Sequence, residues 1–236
     1  MKTPKKKLTV ENETEPKKTK SNPIQKRVQN VHAIWNNIHQ DDNGIEKIIR
    51  LFLSASQLLF PGIYIKHFAS SIHPKYQDLA IDFYIIIKVM YPFLTLFYQF
   101  QHYNIVIYII IYLLVETILY IPTLIFASDL FSQPRSYKRS MLLLFLNYLE
   151  LIFSYAVLYS VGNYLNKPLA HWFDAIYFSI ITSTSIGYGD YYPVTLTGKF
   201  LVSTQSLLFL FFVVLFLNFF SNKIKVKGYF DDENKD

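Results

Sequence analysis

Residues 182–190 have the sequence TSTSIGYGD, which places Gly187 and Gly189 two residues apart. The two glycines alternate with larger residues, Ile186 and Tyr188. A strand that aims successive carbonyl oxygens at one axis must alternate between right- and left-handed backbone conformations. Left-handed positions cost glycine little and cost other residues roughly 1–2 kcal/mol. The spacing therefore predicts a row of inward carbonyls, which can replace the water shell of a bare cation.

The segment before this stretch, residues 172–183, is compatible with a short helix. Its apolar residues share one face: Phe173, Ile176, Tyr177 and Ile180. The segment is too short to cross a bilayer, so it must enter the membrane and return to the same side. Backbone that is not helical is tolerated at membrane depth only where it is buried in protein or lines a water-filled path. This arrangement indicates a pore.

The nonapeptide resembles the signature of the potassium-channel superfamily. The pattern WFDAIYFS precedes it and YYPVTLTGK follows it, as in small bacterial channels with a two-helix pore domain. The resemblance covers about residues 141–222. It implies a channel that conducts K⁺ passively and selectively, with K⁺ as the permeant ion and no cofactor.

The resemblance also implies roles for individual residues. The selectivity filter would comprise Thr184, Ser185, Ile186, Gly187, Tyr188, Gly189 and Asp190. K⁺ would bind the carbonyl oxygens of Ser185, Ile186, Gly187 and Tyr188, and the Ser185 hydroxyl would contribute to the innermost site. Most relatives have threonine at that position. Tyr177 and Thr182 would support the filter, with Tyr177 placed to reach Asp190.

The apolar residues of the chain come in long blocks. The sequence is 52% hydrophobic, and residues 81–100, 105–126, 141–162 and 200–220 each approach the roughly 20 apolar residues needed to cross a bilayer. The predicted fold class is an all-α membrane protein. It has four transmembrane helices, with a re-entrant pore helix and a selectivity-filter loop between the last two.

Basic residues set the expected orientation. The N-terminal tail, the loop 132–140 and the C-terminal tail are rich in Lys and Arg, whereas residues 101–104 have none and residues 163–171 have only Lys167. The positive-inside rule therefore predicts a multi-pass protein of the cell membrane with both termini cytoplasmic. Basic segments that flank spans favour membrane lipid as a partner rather than nucleic acid.

Five regions are expected along the chain. They are a disordered basic cytoplasmic tail (1–41), an interfacial amphipathic helix and linker (42–75), a two-helix transmembrane hairpin (76–132), the pore domain (133–222) and a cytoplasmic tail (223–236). Residues 51–65 are apolar but are interrupted by Pro61 and Gly62, and a fifth span there is the alternative to an interfacial helix.

One chain supplies only one G-Y-G strand, whereas a closed ring of carbonyls needs four. The expected functional unit is therefore a cyclic homotetramer. On the last span a helical stripe, consisting of Ser206, Leu210, Val213 and Leu217, is predicted to line the cavity. The same stripe could equally pack against a neighbouring helix.

Three charged residues lie inside apolar spans: Lys88, Glu116 and Glu150. Charges at such depth pair with one another or mark function, so Lys88 is predicted to pair with Glu116 or with Glu150. No span carries Arg or Lys at every third residue, and a voltage sensor is therefore not expected.

Two other functions remain open from the sequence. The chain could be a poorly selective cation channel, or a regulatory channel subunit that conducts nothing alone. An enzyme is not expected, because the sequence offers no Ser/His/Asp set, no phosphate-binding loop and no cysteine.

Overall fold

The computed structural model describes residues 23–38, 43–73, 76–126 and 136–224. Eight α-helices lie in these ranges: α1 (Pro23–Trp35), α2 (Gly44–Ser56), α3 (Pro61–Ile72), α4 (Tyr76–Phe97), α5 (Asn104–Phe126), α6 (Tyr137–Val161), α7 (Trp172–Ser183) and α8 (Leu196–Ile224). Short 3₁₀ turns follow α2 and α4 at Gln57–Leu59 and Phe100–His102. Across the described ranges the only β-pairing is an isolated bridge between Leu165 and Pro193.

Four helices are long and apolar enough to span a membrane: Tyr76–Phe97, Asn104–Phe126, Lys138–Val161 and Leu196–Asn218. They confirm the predicted all-α membrane fold with four spans. Between the last two spans lies α7, which has 12 residues. At 1.5 Å per residue it is about 18 Å long, well short of a hydrocarbon core of about 30 Å.

The helix α6 is the one around which the others are arranged, since it contacts α4, α5, α7 and α8. On one side Leu151 and Tyr159 belong to a buried cluster that includes Phe212 of α8. On another side Val157 shares a second cluster with Leu96 of α4. The helix α6 therefore joins the N-terminal hairpin to the part of the chain that carries residues 182–190.

The structure differs from the predicted disordered tail over Pro23–Trp35, which forms α1. A proline at the first helical position is already set to helical φ. Ile24, Val31 and Ile34 follow at helical spacing and are at least partly buried, with α1 in contact with α2 and α3. Tertiary contacts thus order a polar segment that composition alone assigns to a tail. Residues 1–22 and 39–41 of that prediction lie outside the described residues.

The helices α2 and α3 meet at a bend of 59°, in the region predicted to hold an interfacial helix. Ile45, Ile48 and Phe52 of α2 are exposed, whereas Arg50, Leu53 and Ser54 are buried. A helix with this arrangement can present its outer side to lipid. The pair is either one broken span or a segment that does not cross, so the interfacial helix stays a prediction.

The three charges predicted to interact within the spans lie together. Lys88 Nζ lies 3.5 Å from Glu116 Oε2 and also donates a hydrogen bond to Thr117 Oγ1. Thr117 Oγ1 in turn donates to Glu150 Oε2 at 2.7 Å. Of the two predicted pairings, Lys88 therefore makes the direct one with Glu116 and reaches Glu150 through a hydroxyl group.

A second polar link joins α4 to α6 at the end of the bundle opposite α7. Arg139 Nη2 lies 2.6 Å from Asp82 Oδ1, and Arg139 Nη1 lies 3.4 Å from Asp78 Oδ1. About a third of each of the Arg139 and Asp82 side chains is exposed. Because solvent screens the charges, this ion pair contributes about 1 kcal/mol or less to the stability of the fold. Both links hold the hairpin against α6.

We expect Lys88→Glu and Glu116→Lys each to lower the free energy of unfolding by about 3–5 kcal/mol, because each change leaves like charges together in a buried site. The exchange K88E/E116K restores an opposite pair and should recover most of the loss. The measurement is the thermal unfolding midpoint of purified protein in detergent. Lys26→Glu, a charge reversal at an exposed position of α1, is the control and should change little. A double variant no more stable than the worse single variant would contradict this pairing.

Candidate functional site

The backbone of residues 185–189 alternates in handedness. Ser185, Gly187 and Gly189 have φ values of +57°, +56° and +81°. Sequence reasoning identified the two glycines and missed Ser185, although extending the two-residue period by one step would have found it. A left-handed residue other than glycine carries a strain of roughly 1–2 kcal/mol. The surrounding contacts must therefore hold Ser185 in this conformation.

The two glycines are required by the backbone and not by close packing. A Cβ atom built on Gly187 or on Gly189 meets nothing within 4 Å in the single chain. Residues 184–190 are all exposed there. The positive φ angles are thus the reason for glycine at both positions.

The C-terminal end of α7 holds the N–H groups of the following residues. Ile180 O accepts from Thr184 N at 3.0 Å, and Thr182 O accepts from Ser185 N at 3.1 Å. Ile181 O accepts from the next two amides along the chain, at 3.0 Å and 3.3 Å. The amides of residues 184–187 therefore turn back to α7. Within the described part of the chain, no hydrogen bond uses the carbonyl oxygens of residues 185–188, which leaves them available to a ligand.

The buried side-chain amide of Gln205, on α8, holds α7 by hydrogen bonds. Its Nε2 lies 3.0 Å from Ser179 O and 2.7 Å from Ser179 Oγ, and its Oε1 accepts from the Tyr159 hydroxyl at 2.8 Å. Ser179 Oγ donates to Ile152 O at 2.7 Å. Gln205 is fully buried. This network ties α6, α7 and α8 together, and sequence reasoning missed it because a single amide in an apolar run gives no sign of its partners.

The start of α7 is capped by Asp174. Its Oδ2 accepts from Ala170 N at 3.0 Å and from His171 N at 2.9 Å, and the Tyr191 hydroxyl donates to it at 3.3 Å. Burial, followed by the nearby Asp174 carboxylate, raises the pKa of the Tyr191 phenol above its ordinary value. Tyr191 therefore stays a neutral donor, and Lys167 Nζ lies 4.2 Å from the centre of its ring.

The segment after the glycines is tethered to the loop that follows α6. Asn166 N donates to Tyr192 O at 2.9 Å, and Tyr192 N donates to Asn166 Oδ1 at 3.0 Å. Val194 N donates to Tyr164 O at 2.9 Å. A Cβ atom at Gly198 would lie 2.9 Å from the same Tyr164 oxygen, so this close approach requires glycine. Residues 184–190 are thus held at both ends.

The structure places the predicted supporting residues next to the glycine segment. Tyr177 interacts with the Asp190 carboxylate. Thr182 is buried, and its carbonyl holds Ser185 as described above. Tyr188 is 70% exposed, so its ring makes little contact with α7 inside one chain.

The predicted cavity stripe on α8 is only partly on the exposed face. Leu210 and Leu217 are exposed, whereas Ser206 and Val213 are half-buried. The exposed face also includes Leu207 and Val214, which the prediction did not name. The exposed face of one chain is thus offset from the predicted stripe by part of a helical turn, and the cavity lining stays a prediction. An unbroken apolar helix has no polar side from which to read its orientation.

Residues 142–226 match the family model described as an ion channel. The matched part contains nearly all of α6, the whole of α7 and the glycine segment, and α8. This C-terminal part of the chain is therefore similar to the ion channels of that family. No solved structure matches the chain.

We expect Gln205→Leu to lower the free energy of unfolding by about 1–3 kcal/mol, because the buried Tyr159 hydroxyl loses its acceptor. The double variant Y159F/Q205L should cost less than the sum of the two single changes, since the hydroxyl is then absent too. Thermal unfolding in detergent measures all three.

Tyr148→Phe is the matched control for this cycle. Its hydroxyl donates to Ser183 Oγ at 3.2 Å and shares no partner with Gln205. The losses in Y148F/Q205L should therefore add. Additive losses in Y159F/Q205L would contradict the proposed network.

Proposed function

We propose that the protein is a potassium-selective channel that conducts K⁺ passively as a homotetramer. The observation that carries the proposal is the left-handed backbone at Ser185, Gly187 and Gly189. Alternation at this period turns successive carbonyl oxygens to one side, while the amides of residues 184–187 bond back to α7. The oxygens of residues 185–188, with the Ser185 hydroxyl, would replace the hydration shell of K⁺.

Assembly into four copies is supported by what one chain leaves exposed. Ile186 and Tyr188 of the proposed filter are 53% and 70% exposed, and the α8 face around Leu207 and Leu210 is also open. A single strand of carbonyls surrounds no ion, whereas a cyclic assembly closes the ring with the same surfaces. In that assembly Tyr188 would pack against a neighbouring chain.

The direction of α7 adds to the preference for a cation. Its C-terminal end adjoins the proposed filter, and a helix carries about half a negative charge at that end. Four such ends would converge below the filter. With both termini cytoplasmic, as the basic flanks favour, α7 would enter the membrane from the outer side.

Purified protein in liposomes with a potassium gradient tests this function. We expect rubidium uptake that potassium competes with and that sodium does not replace, from particles with the mass of four chains. Equal sodium and rubidium uptake would show a poorly selective cation channel. Absence of uptake from a well-formed tetramer would show a subunit that does not conduct alone. Either result would overturn the proposal.

Gly187→Ala should lower rubidium uptake by about tenfold or more, since a backbone strain of roughly 1–2 kcal/mol falls on every copy of the filter. Gly44→Ala is a matched control. Gly44 has φ +63°, also has nothing within 4 Å of a built Cβ, and lies at the start of α2. The two variants should suffer similar strain, but G44A should retain uptake per assembled protein. Equal loss in both variants would show that the effect comes from folding rather than from the filter.

A further inference from the structure

The polar cluster inside the membrane-spanning helices holds two carboxyl groups and one ammonium group. Lys88 is 3% exposed and Glu150 is 1% exposed, and 12% of the Glu116 side chain is exposed. If all three groups were ionised, the cluster would carry an excess negative charge. An unpaired charge in such a medium is so costly that the group takes up or releases a proton instead.

The two carboxyl groups have different partners. Glu116 has the Lys88 ammonium at 3.5 Å and also accepts a hydrogen bond from the Tyr84 hydroxyl. Among the described residues, the hydrogen-bond partners of Glu150 are two hydroxyl groups, those of Thr117 at 2.7 Å and of Ser154 at 3.0 Å. The cation therefore stabilises the ionised form of Glu116 directly and that of Glu150 only across Thr117.

Several helices face this cluster. The ionisable groups that act on Glu150 are Lys88 and Tyr84 on α4 and Glu116 on α5. The helix α3 contributes backbone at Gly62, where a Cβ atom would lie 3.3 Å from Glu116 Oε1. Among these groups Lys88 is the one cation, and it lies next to Glu116.

We propose that Glu150 is a proton-binding site, which holds a proton at neutral pH beside the Lys88–Glu116 ion pair and releases it as the pH rises. The protonated carboxyl can donate to either neighbouring hydroxyl, because Thr117 and Ser154 can each donate and accept. With that proton bound, the cluster has one positive and one negative charge. Loss of the proton leaves two carboxylates to share one ammonium group.

The site lies on the part of α6 that holds α7. Two residues before Glu150, the Tyr148 hydroxyl donates to Ser183 Oγ at 3.2 Å. Two residues after it, Ile152 O accepts from Ser179 Oγ at 2.7 Å. A change of charge at Glu150 therefore acts on α6 between its two contacts with the helix that supports the filter. Its effect on conduction rests on the proposed function, whereas proton binding itself does not.

Infrared spectroscopy of the purified protein tests proton binding without any need for conduction. We expect the wild type to show, at neutral pH, the carbonyl stretch of a protonated carboxylic acid that disappears at alkaline pH. The isosteric variant Glu150→Gln should lack this band. Ser154→Ala removes a hydroxyl that contacts Glu150 and should shift the band, whereas Tyr84→Phe removes the hydroxyl that contacts Glu116 and should leave it in place.

Two results would overturn the proposal. The first is the absence of a protonated carboxyl at neutral pH in folded wild-type protein. The second is a band that moves in Y84F and not in S154A, which would assign the proton to Glu116. For the link to conduction, rubidium uptake by the wild type should differ between neutral and alkaline pH, and uptake by E150Q should not. If the response of uptake to pH persisted unchanged in E150Q, Glu150 would not be the residue that couples pH to conduction.

Discussion

Peptide groups that leave the helical conformation need new hydrogen-bond partners, and residues 184–190 find only some of them within one chain. Their first amides bond back to the carbonyls of α7, and the tether at Asn166 and Tyr192 fixes the far end. The carbonyl oxygens between these points have no donor in the described chain. The remaining helices form a frame that holds this segment in place and leaves its carbonyl oxygens exposed.

The helix α6 connects this frame to the rest of the protein. One side of it contacts α7 through Tyr148 and Ile152, and the same stretch carries Glu150, which reaches Lys88 of α4 through Thr117. Together with Arg139 near its start, α6 is therefore bonded to the N-terminal hairpin at two depths. A movement of the hairpin relative to α6 would have to break the buried contacts among Lys88, Thr117 and Glu150, and these contacts therefore oppose it.

The sequence was sufficient to predict those features that depend on composition or on backbone chirality. Four apolar blocks predicted the four spans, and the spacing of Gly187 and Gly189 predicted the left-handed positions. It was insufficient where the answer depends on how helices are rotated about their axes. Hydropathy does not decide whether Lys88 faces Glu116 or Glu150, nor that Leu207 is more exposed on α8 than Val213. The helix α1 was missed for a related reason, since a polar segment with a few spaced apolar residues becomes helical only against its neighbours.

The buried polar residues are divided by charge. Those that bond α7 to α6 and α8 in the described structure are neutral, namely the side chains of Gln205, Ser179 and Tyr159. The ionisable groups at comparable depth lie where α4 and α5 meet α6. A fixed charge buried between α7 and α6 would add a strong field behind residues 185–188, because electrostatic interactions are strong in a medium of low dielectric constant, whereas the Asp190 carboxylate is exposed to solvent. Neutral hydrogen bonds give rigidity there without such a field, and the charged cluster on the other side of α6 can change its protonation while acting on the segment only through the position of the helix.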